Sequence, residues 1–221
     1  MTSGNKAWDW SKSDSEHWLV PSEESYFILN RWKNEGFSTF LDLGCGLGRH
    51  SIQFAKAGFD VYASDLSRQA IEALASKAEE ERLNIRTTCC DMVSLPYGDA
   101  FFDCMLAYHV ISHTNTEGII RTIAEISRIV KSGGEIFLTL CSKSSWVGGK
   151  PNSPLVDDNT IIKSEEGPEK GIPHFFADDK MIRLLFREYD LLHVRNIHET
   201  VYDNIESDTW HFYIHGKKNK A

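Results

Sequence analysis

Apolar residues along the chain alternate between two spacings. Short runs at Thr39 to Leu43, Asp60 to Ser64, Ile85 to Cys90, Phe102 to Tyr108 and Glu135 to Leu140 have the length and side-chain type of strands. Helical spacing separates them. It runs over about Glu23 to Lys33 behind Pro21 and Ser22, about Gly48 to Lys56 with Gly58 as its stop, and Ser67 through about Arg82. Residues 115–130 repeat the pattern with Ile119, Ile120, Ile123, Ile126 and Ile129. Pro96 to Ala100 and Lys131-Ser132-Gly133-Gly134 read as turns. Residues 142–174 then lose all periodicity and hold most of the prolines, which marks a lid or substrate element. A helix returns at Asp178 to Glu188, and Leu191 to Glu199 with Thr209 to Gly216 reads as a closing hairpin. Strands alternating with helices predict an α/β fold, a mostly parallel sheet with helices on both faces.

Length and charge narrow the partners. A chain of 221 residues suits one domain with a single buried core. The expected division is an N-terminal helical cap (1–36), a core (37–141), an insertion (142–176) and a C-terminal helix and hairpin (177–216). With 24 basic against 32 acidic residues the net charge is −8, which argues against a nucleic-acid partner. Lys217-Lys218-Asn219-Lys220 reads as a solvated tail. No apolar run approaches the roughly 20 residues of a membrane span, and Met1 to Trp10 lacks a signal core. Five cysteines without C-x-x-C spacing fit a reduced, cytoplasmic protein. Oligomeric state is not encoded in any pattern found.

The first strand runs straight into Leu41-Asp42-Leu43-Gly44-Cys45-Gly46-Leu47-Gly48-Arg49-His50. Glycines on alternate positions allow a tight strand-to-helix turn and close approach of a ligand to the backbone. A dinucleotide fingerprint would need G-x-G-x-x-G; here the third glycine arrives one residue early and Arg49 takes its place. Asp42, two positions ahead of Gly44, would repel a pyrophosphate and suits a cationic ligand. Asp65 ends the second strand, 21 residues beyond Gly44, where an acid in doubly wound folds accepts hydrogen bonds from ribose hydroxyls.

The string Asp42-x-Gly44-x-Gly46-x-Gly48 resembles motif I of the class I S-adenosylmethionine-dependent methyltransferases. The resemblance spans roughly residues 37–216 and is most specific between 41 and 115; the Arg-His ending is similar to bacterial small-molecule members. It implies a Rossmann-like seven-stranded sheet of order 3-2-1-4-5-7-6, the last strand antiparallel, and S-adenosyl-L-methionine as cofactor. By that resemblance Asp42, Gly44, Cys45, Gly46 and Gly48 hold the cofactor's amino-acid end. Asp65 takes the ribose with Leu66 against the adenine. Asp91 takes the adenine amino group between Cys90 and Met92, and Ala107 lies beneath the methionine part. The N-terminal aromatics, Trp18 and His17 above all, are expected to cover the cofactor. The implied reaction is methyl transfer to a small-molecule acceptor by in-line displacement.

Such a displacement needs a base only when the acceptor must lose a proton. His109 and His113, just past the fourth strand, are the candidate catalytic residues. Their spacing of four would also put two metal ligands on one helix face, but no carboxylate stands in an obvious third position, so no metal is expected. His174 is placed at the substrate mouth, whereas His211, His215, Asp99 and Asp103 are read as structural. A nicotinamide-dependent reductase on a similar sheet and a non-catalytic cofactor-binding protein remain as alternatives.

Overall fold

The computed structural model describes residues 5–13, 16–146, 153–201 and 204–220, without the side chains of 16, 17, 200, 201 and 204–208. In chain order the elements are α1 (Glu23–Asn34), β1 (Thr39–Leu43), α2 (Arg49–Lys56), β2 (Asp60–Asp65), α3 (Arg68–Glu80), β3 (Ile85–Cys89), β4 (Phe102–Ala107), α4 (Thr116–Ile129) and β5 (Val130–Cys141). They continue as β6 (Leu155–Asp157), β7 (Thr160–Ile162), β8 (Pro173–Phe175), α5 (Asp179–Leu185), β9 (Tyr189–Val201) and β10 (Asn204–Lys218). The main sheet has the order β3-β2-β1-β4-β5-β10-β9. Counted within that sheet this is 3-2-1-4-5-7-6. β1 to β5 run parallel, and β10 is antiparallel to both neighbours.

Alternating side chains feed two apolar layers, as a sheet covered on both faces requires. Leu41, Met105, Ala107, Ile136 and Leu138 face the layer closed by Ile119, Ile123, Ile126 and Ile129 of α4. Phe40, Cys104, Leu106 and Phe137 face the layer closed by Ile28 and Trp32 of α1 and Phe54 of α2. Phe40 and Phe54 stack at 3.9 Å between ring centres. Side-chain caps set two helix starts: Ser67 accepts from the Ala70 amide and Asn115 from the Gly118 amide. Asp103 accepts from the Ser38 and Thr39 amides and from Lys131, which joins the lower ends of β1, β4 and β5. Asp99 pairs with Arg128. Both acids are structural, as expected.

Two expectations need correction. Lys131 to Gly134 is not a turn ahead of β5 but a bulge inside it. Phe102 pairs with Val130 and Cys104 with Glu135, so four residues stand opposite Asp103 alone. Gly133 takes the left-handed conformation that this excursion needs. Within 142–174, residues 147–152 lie outside the described part, but β6, β7 and β8 form a small antiparallel sheet. Strands of three residues contain too few alternations to register as a period. The sheet docks on the core through the Phe175 amide to the Ser112 carbonyl and the Ala177 amide to the Cys141 carbonyl, both 2.8 Å. Among the described residues no helix is long and apolar enough to cross a membrane.

Candidate active site

The carboxyl ends of β1 to β4 open into a cleft. Its floor is the glycine turn, which the Gly44 and Cys45 amides fasten to β2 by donating to the Ser64 carbonyl at 2.7 and 3.0 Å. Gly48 caps α2 at φ +86°, and a Cβ there would lie 2.2 Å from Leu74, so α3 packs against the bare backbone. Gly46, at φ +53°, leaves room for the Trp10 ring, 2.6 Å from where a Cβ would stand. Its amide donates to Asp65 Oδ2 at 2.9 Å, while Asp65 Oδ1 accepts from the Ser67 amide at 2.7 Å. Backbone donors thus fix the carboxylate at the cleft wall. Each oxygen keeps a lone pair for a further donor. Burial pushes the Asp65 carboxyl up.

Asp42 lies deeper, 2% exposed, and accepts from the Ser51 hydroxyl at 2.6 Å. Burial raises its pKa to about 6 despite that bond. Leu66, Cys90 and Met92 line the adjoining wall. Asp91 Oδ1 accepts from Asn5 Nδ2 at 2.8 Å, and Asn5 Oδ1 accepts from the Thr114 hydroxyl at 3.0 Å. Ala107 is fully buried in the core instead of lining the cleft; Tyr108, His109 and Val110 take that stretch of wall. The reason is strand alternation, which turns Ala107 toward α4. His17's side chain lies outside the described residues, but Trp18 lines the cleft, with Trp8 at 5.4 Å edge-on and Trp10 at 6.2 Å. Arg49 lies over Trp18 and Tyr108, 5.2 and 5.5 Å from the ring centres. No spacing rule singles out Asn5; the fold alone brings it to the cleft.

Beyond the tryptophans lies a second cavity, which shares Trp8, Trp18, His109 and His113 with the cleft. The two candidate histidines do not share a helix face, because residues 108–115 form turns. Each meets its own partners. His109, itself at φ +57°, donates its amide to Thr139 Oγ1 at 2.7 Å. Its Nε2 is 3.7 Å from Glu199 Oε1, and its ring stands 4.4 Å from that of His211. Burial and the neighbouring His211 hold His109 neutral, with a pKa of about 3. His211 goes the other way. Burial opposes its charge, but Cys141 Sγ at 3.6 Å and Glu199 Oε2 at 2.8 Å raise it to about 10.

His113 instead faces Glu169 and His174, which arrive from the segment without periodicity. The carboxylates missing beside His109 and His113 in the sequence are therefore supplied by Glu199 and Glu169. His174 lines this second cavity. His211, read as structural, also lines this cavity. His215 is structural, bonded at 2.8 Å to buried Glu135.

Residues 40–134 match the family model described as a methyltransferase domain. Among curated relatives, a ubiquinone biosynthesis O-methyltransferase of Caulobacter vibrioides is 35% identical over 109 residues, 48% of this chain and 42% of its own. A tRNA (carboxymethyluridine(34)-5-O)-methyltransferase of Arabidopsis thaliana is 29% identical over 154 residues, covering 60% and 36%. The chain spans half or less of the length of such relatives. Among solved structures, a SAM-dependent methyltransferase from Methanosarcina mazei superposes with a TM-score of 0.74 at 18% identity, covering 92% of this chain and 100% of that one. A 1,6-didemethyltoxoflavin-N1-methyltransferase from Burkholderia thailandensis gives 0.63 at 17% identity, covering 90% and 78%. The methyltransferase-domain match falls on the segment that builds the glycine turn and the first four strand ends, and the superposed structures share the fold.

Proposed function

We propose that this protein transfers the methyl group of S-adenosylmethionine to a small molecule held in the second cavity. The observation that carries the reading is the pairing of two cavities through one shared wall of Trp8, Trp18, His109 and His113. The cofactor, when bound, supplies an electrophilic methyl on a sulfonium. The residues of the cleft fit it. Asp65 has lone pairs left for a diol, Asp91 borders the apolar Met92 wall, and buried Asp42 offers negative charge near the glycine turn. Arg49, beside the same turn, also suits a carboxylate.

Orientation supplies most of the rate in this reading, worth up to about 7–11 kcal/mol in favourable cases. The aromatic wall excludes water and fixes the line of attack. His109, neutral at pH 7, serves as a hydrogen-bonding group to the acceptor, and His113 stands beside it on the shared wall. The net charge of −8 favours a small acceptor over the tRNA named for the Arabidopsis relative.

Isothermal titration tests the cofactor. S-adenosylhomocysteine is expected to bind one per chain and NADH not at all, with Asp65→Ala weakening the former about 10- to 100-fold through lost charge-assisted bonds. Binding of NADH in preference overturns the reading. Turnover against phenols, amines, thiols and unmodified tRNA then assigns the acceptor, and methylation of tRNA alone removes the small-molecule part.

A further inference from the structure

We propose that His113, His174 and Glu169 form a binding site for a divalent transition-metal ion, with zinc as its reference occupant, whose open position faces the second cavity. The inference concerns the acceptor side and rests on the reading of that cavity as the acceptor pocket only for its purpose, not for its existence.

The orientation of His174 comes first. Its Nδ1 is 3.1 Å from the Ile172 carbonyl oxygen, which can only accept, so Nδ1 carries a hydrogen. In the neutral ring Nε2 then bears a lone pair. That lone pair is directed at Glu169 Oε1, another acceptor, 3.2 Å away in a site where His174 is 3% exposed. His113 Nε2 aims at the same oxygen from 3.5 Å. Two imidazole nitrogens and a carboxylate oxygen thus converge on one point, a donor set that suits a metal cation between them. Fixing a ligating histidine through a carbonyl on its other nitrogen is the usual outer support of a metal site.

The spacing agrees. Ligands about 2.0–2.1 Å from zinc at the corners of a tetrahedron stand about 3.3–3.4 Å apart. The two separations above, 3.2 and 3.5 Å, bracket that edge. Two histidines and one carboxylate with a free corner is the ligand set of catalytic, not structural, zinc. All three residues line the second cavity, so the free corner opens toward it. A thiol, hydroxyl or amine of the acceptor would be the fourth ligand. Lys163, 3.7 Å from the other Glu169 oxygen, leaves Oε1 available. The sister cluster of His109, Glu199 and His211 is less regular, at 3.7 and 2.8 Å, and His211 Nε2 already meets Cys141.

The full chain, stripped with a chelator, is titrated with cobalt(II) and separately with zinc. One ion per chain and the intense visible absorption of tetrahedral cobalt are expected. Glu169→Gln, which is close in shape, and His174→Ala should each weaken the binding about tenfold or more. Neither residue lines the cofactor cleft, so both variants should keep the S-adenosylhomocysteine affinity of the parent, which also reports that they are folded. Absence of stoichiometric ion in the parent, unchanged affinity in both variants, or loss on His211→Ala instead would overturn the site. Failure of S-adenosylhomocysteine to bind a chain that still takes one ion sinks the methyl-transfer reading and leaves the metal site standing.

Discussion

Asp42 carries a conflict between folding and function. Its carboxyl has an ordinary pKa of 3.8 and sits at about 6 in the fold because burial penalises its charge. Well below pH 3.8 the acid is neutral in both states and costs nothing. Between pH 4 and 6 the unfolded chain loses the proton first, and above 6 the whole difference opposes folding. At about 1.36 kcal/mol per pH unit, the rise from 3.8 to about 6 amounts to about 3 kcal/mol. Asp42→Asn keeps an oxygen for the Ser51 hydroxyl and removes the charge. The variant should resist urea better than the parent by about 1–3 kcal/mol at pH 8 and by no more than about 0.5 kcal/mol at pH 4, while binding S-adenosylhomocysteine more weakly. A stability gap that ignores pH would show that Asp42 ionises freely in the fold. This acid, with Asp65 and Asp91, was legible in the sequence because local chain geometry decides its place: an acid at or beside a strand end next to a glycine turn has few positions to occupy. Glu169 and His174 were not legible as partners of His113. Only the docking of β8 against the loop after β4 brings them within reach.

Elements are held in register by a second buried acid. Glu135, fully buried in β5, accepts from Arg31 Nε and Nη2 at 2.9 and 2.8 Å, from Trp32 Nε1 at 3.0 Å and from His215 Nε2 at 2.8 Å. It thereby joins α1, β5 and β10. Burial alone would raise its carboxyl, but the Arg31 fork and His215 hold it at about 2. The sign is opposite to that of Asp42. A depressed acid contributes stability above its ordinary pKa, which is 4.5 here, and loses it as pH falls toward 2. Glu135→Gln strands Arg31 beside a neutral partner and should cost about 3–5 kcal/mol at pH 7. At about 2–4 °C per kcal/mol for a chain of this size, Tm should drop by about 6–20 °C. Thermal scans between pH 7 and pH 3 should see the gap narrow; a constant gap would assign the effect to packing. The strands themselves were readable because continuous apolar runs bounded by Gly, Pro and Ser are what a doubly covered sheet demands. The bulge at 131–134 escaped notice because Ser-Gly-Gly reads equally well as a turn, and only pairing with Asp103 distinguishes the two.

At the scale of the molecule, two segments far apart in sequence roof the site together. Residues 5–13 cross the cleft, with Asn5 on Asp91 and the Trp8 ring 5.8 Å from that of His113. The same segment is tied to the 153–176 region by the Asp9 amide on the Pro168 carbonyl at 3.2 Å and by Lys6 Nζ on the Lys170 carbonyl. Glu169 lies between those two carbonyls, so the roof that covers the cofactor cleft also carries a ligand of the second cavity. No apolar side chain of residues 5–13 or 163–171 is buried, which is the profile of a unit that opens locally. Because the bonds are mutual, the two segments should open as one. A ligand in the cleft that must leave before the roof lifts slows opening by the factor 1 + [L]/Kd, about 100-fold or 2.7 kcal/mol when S-adenosylhomocysteine is present at about 100 times Kd. Hydrogen exchange should therefore slow by about that factor in residues 5–13 and, in step, in residues 163–172, while the amides of β1 and β4, already limited by global unfolding, gain protection only through the overall rise in stability. Protection confined to residues 5–13, with 163–172 exchanging as in the free protein, would mean that the two cavities open independently and that cofactor binding does not shape the acceptor side.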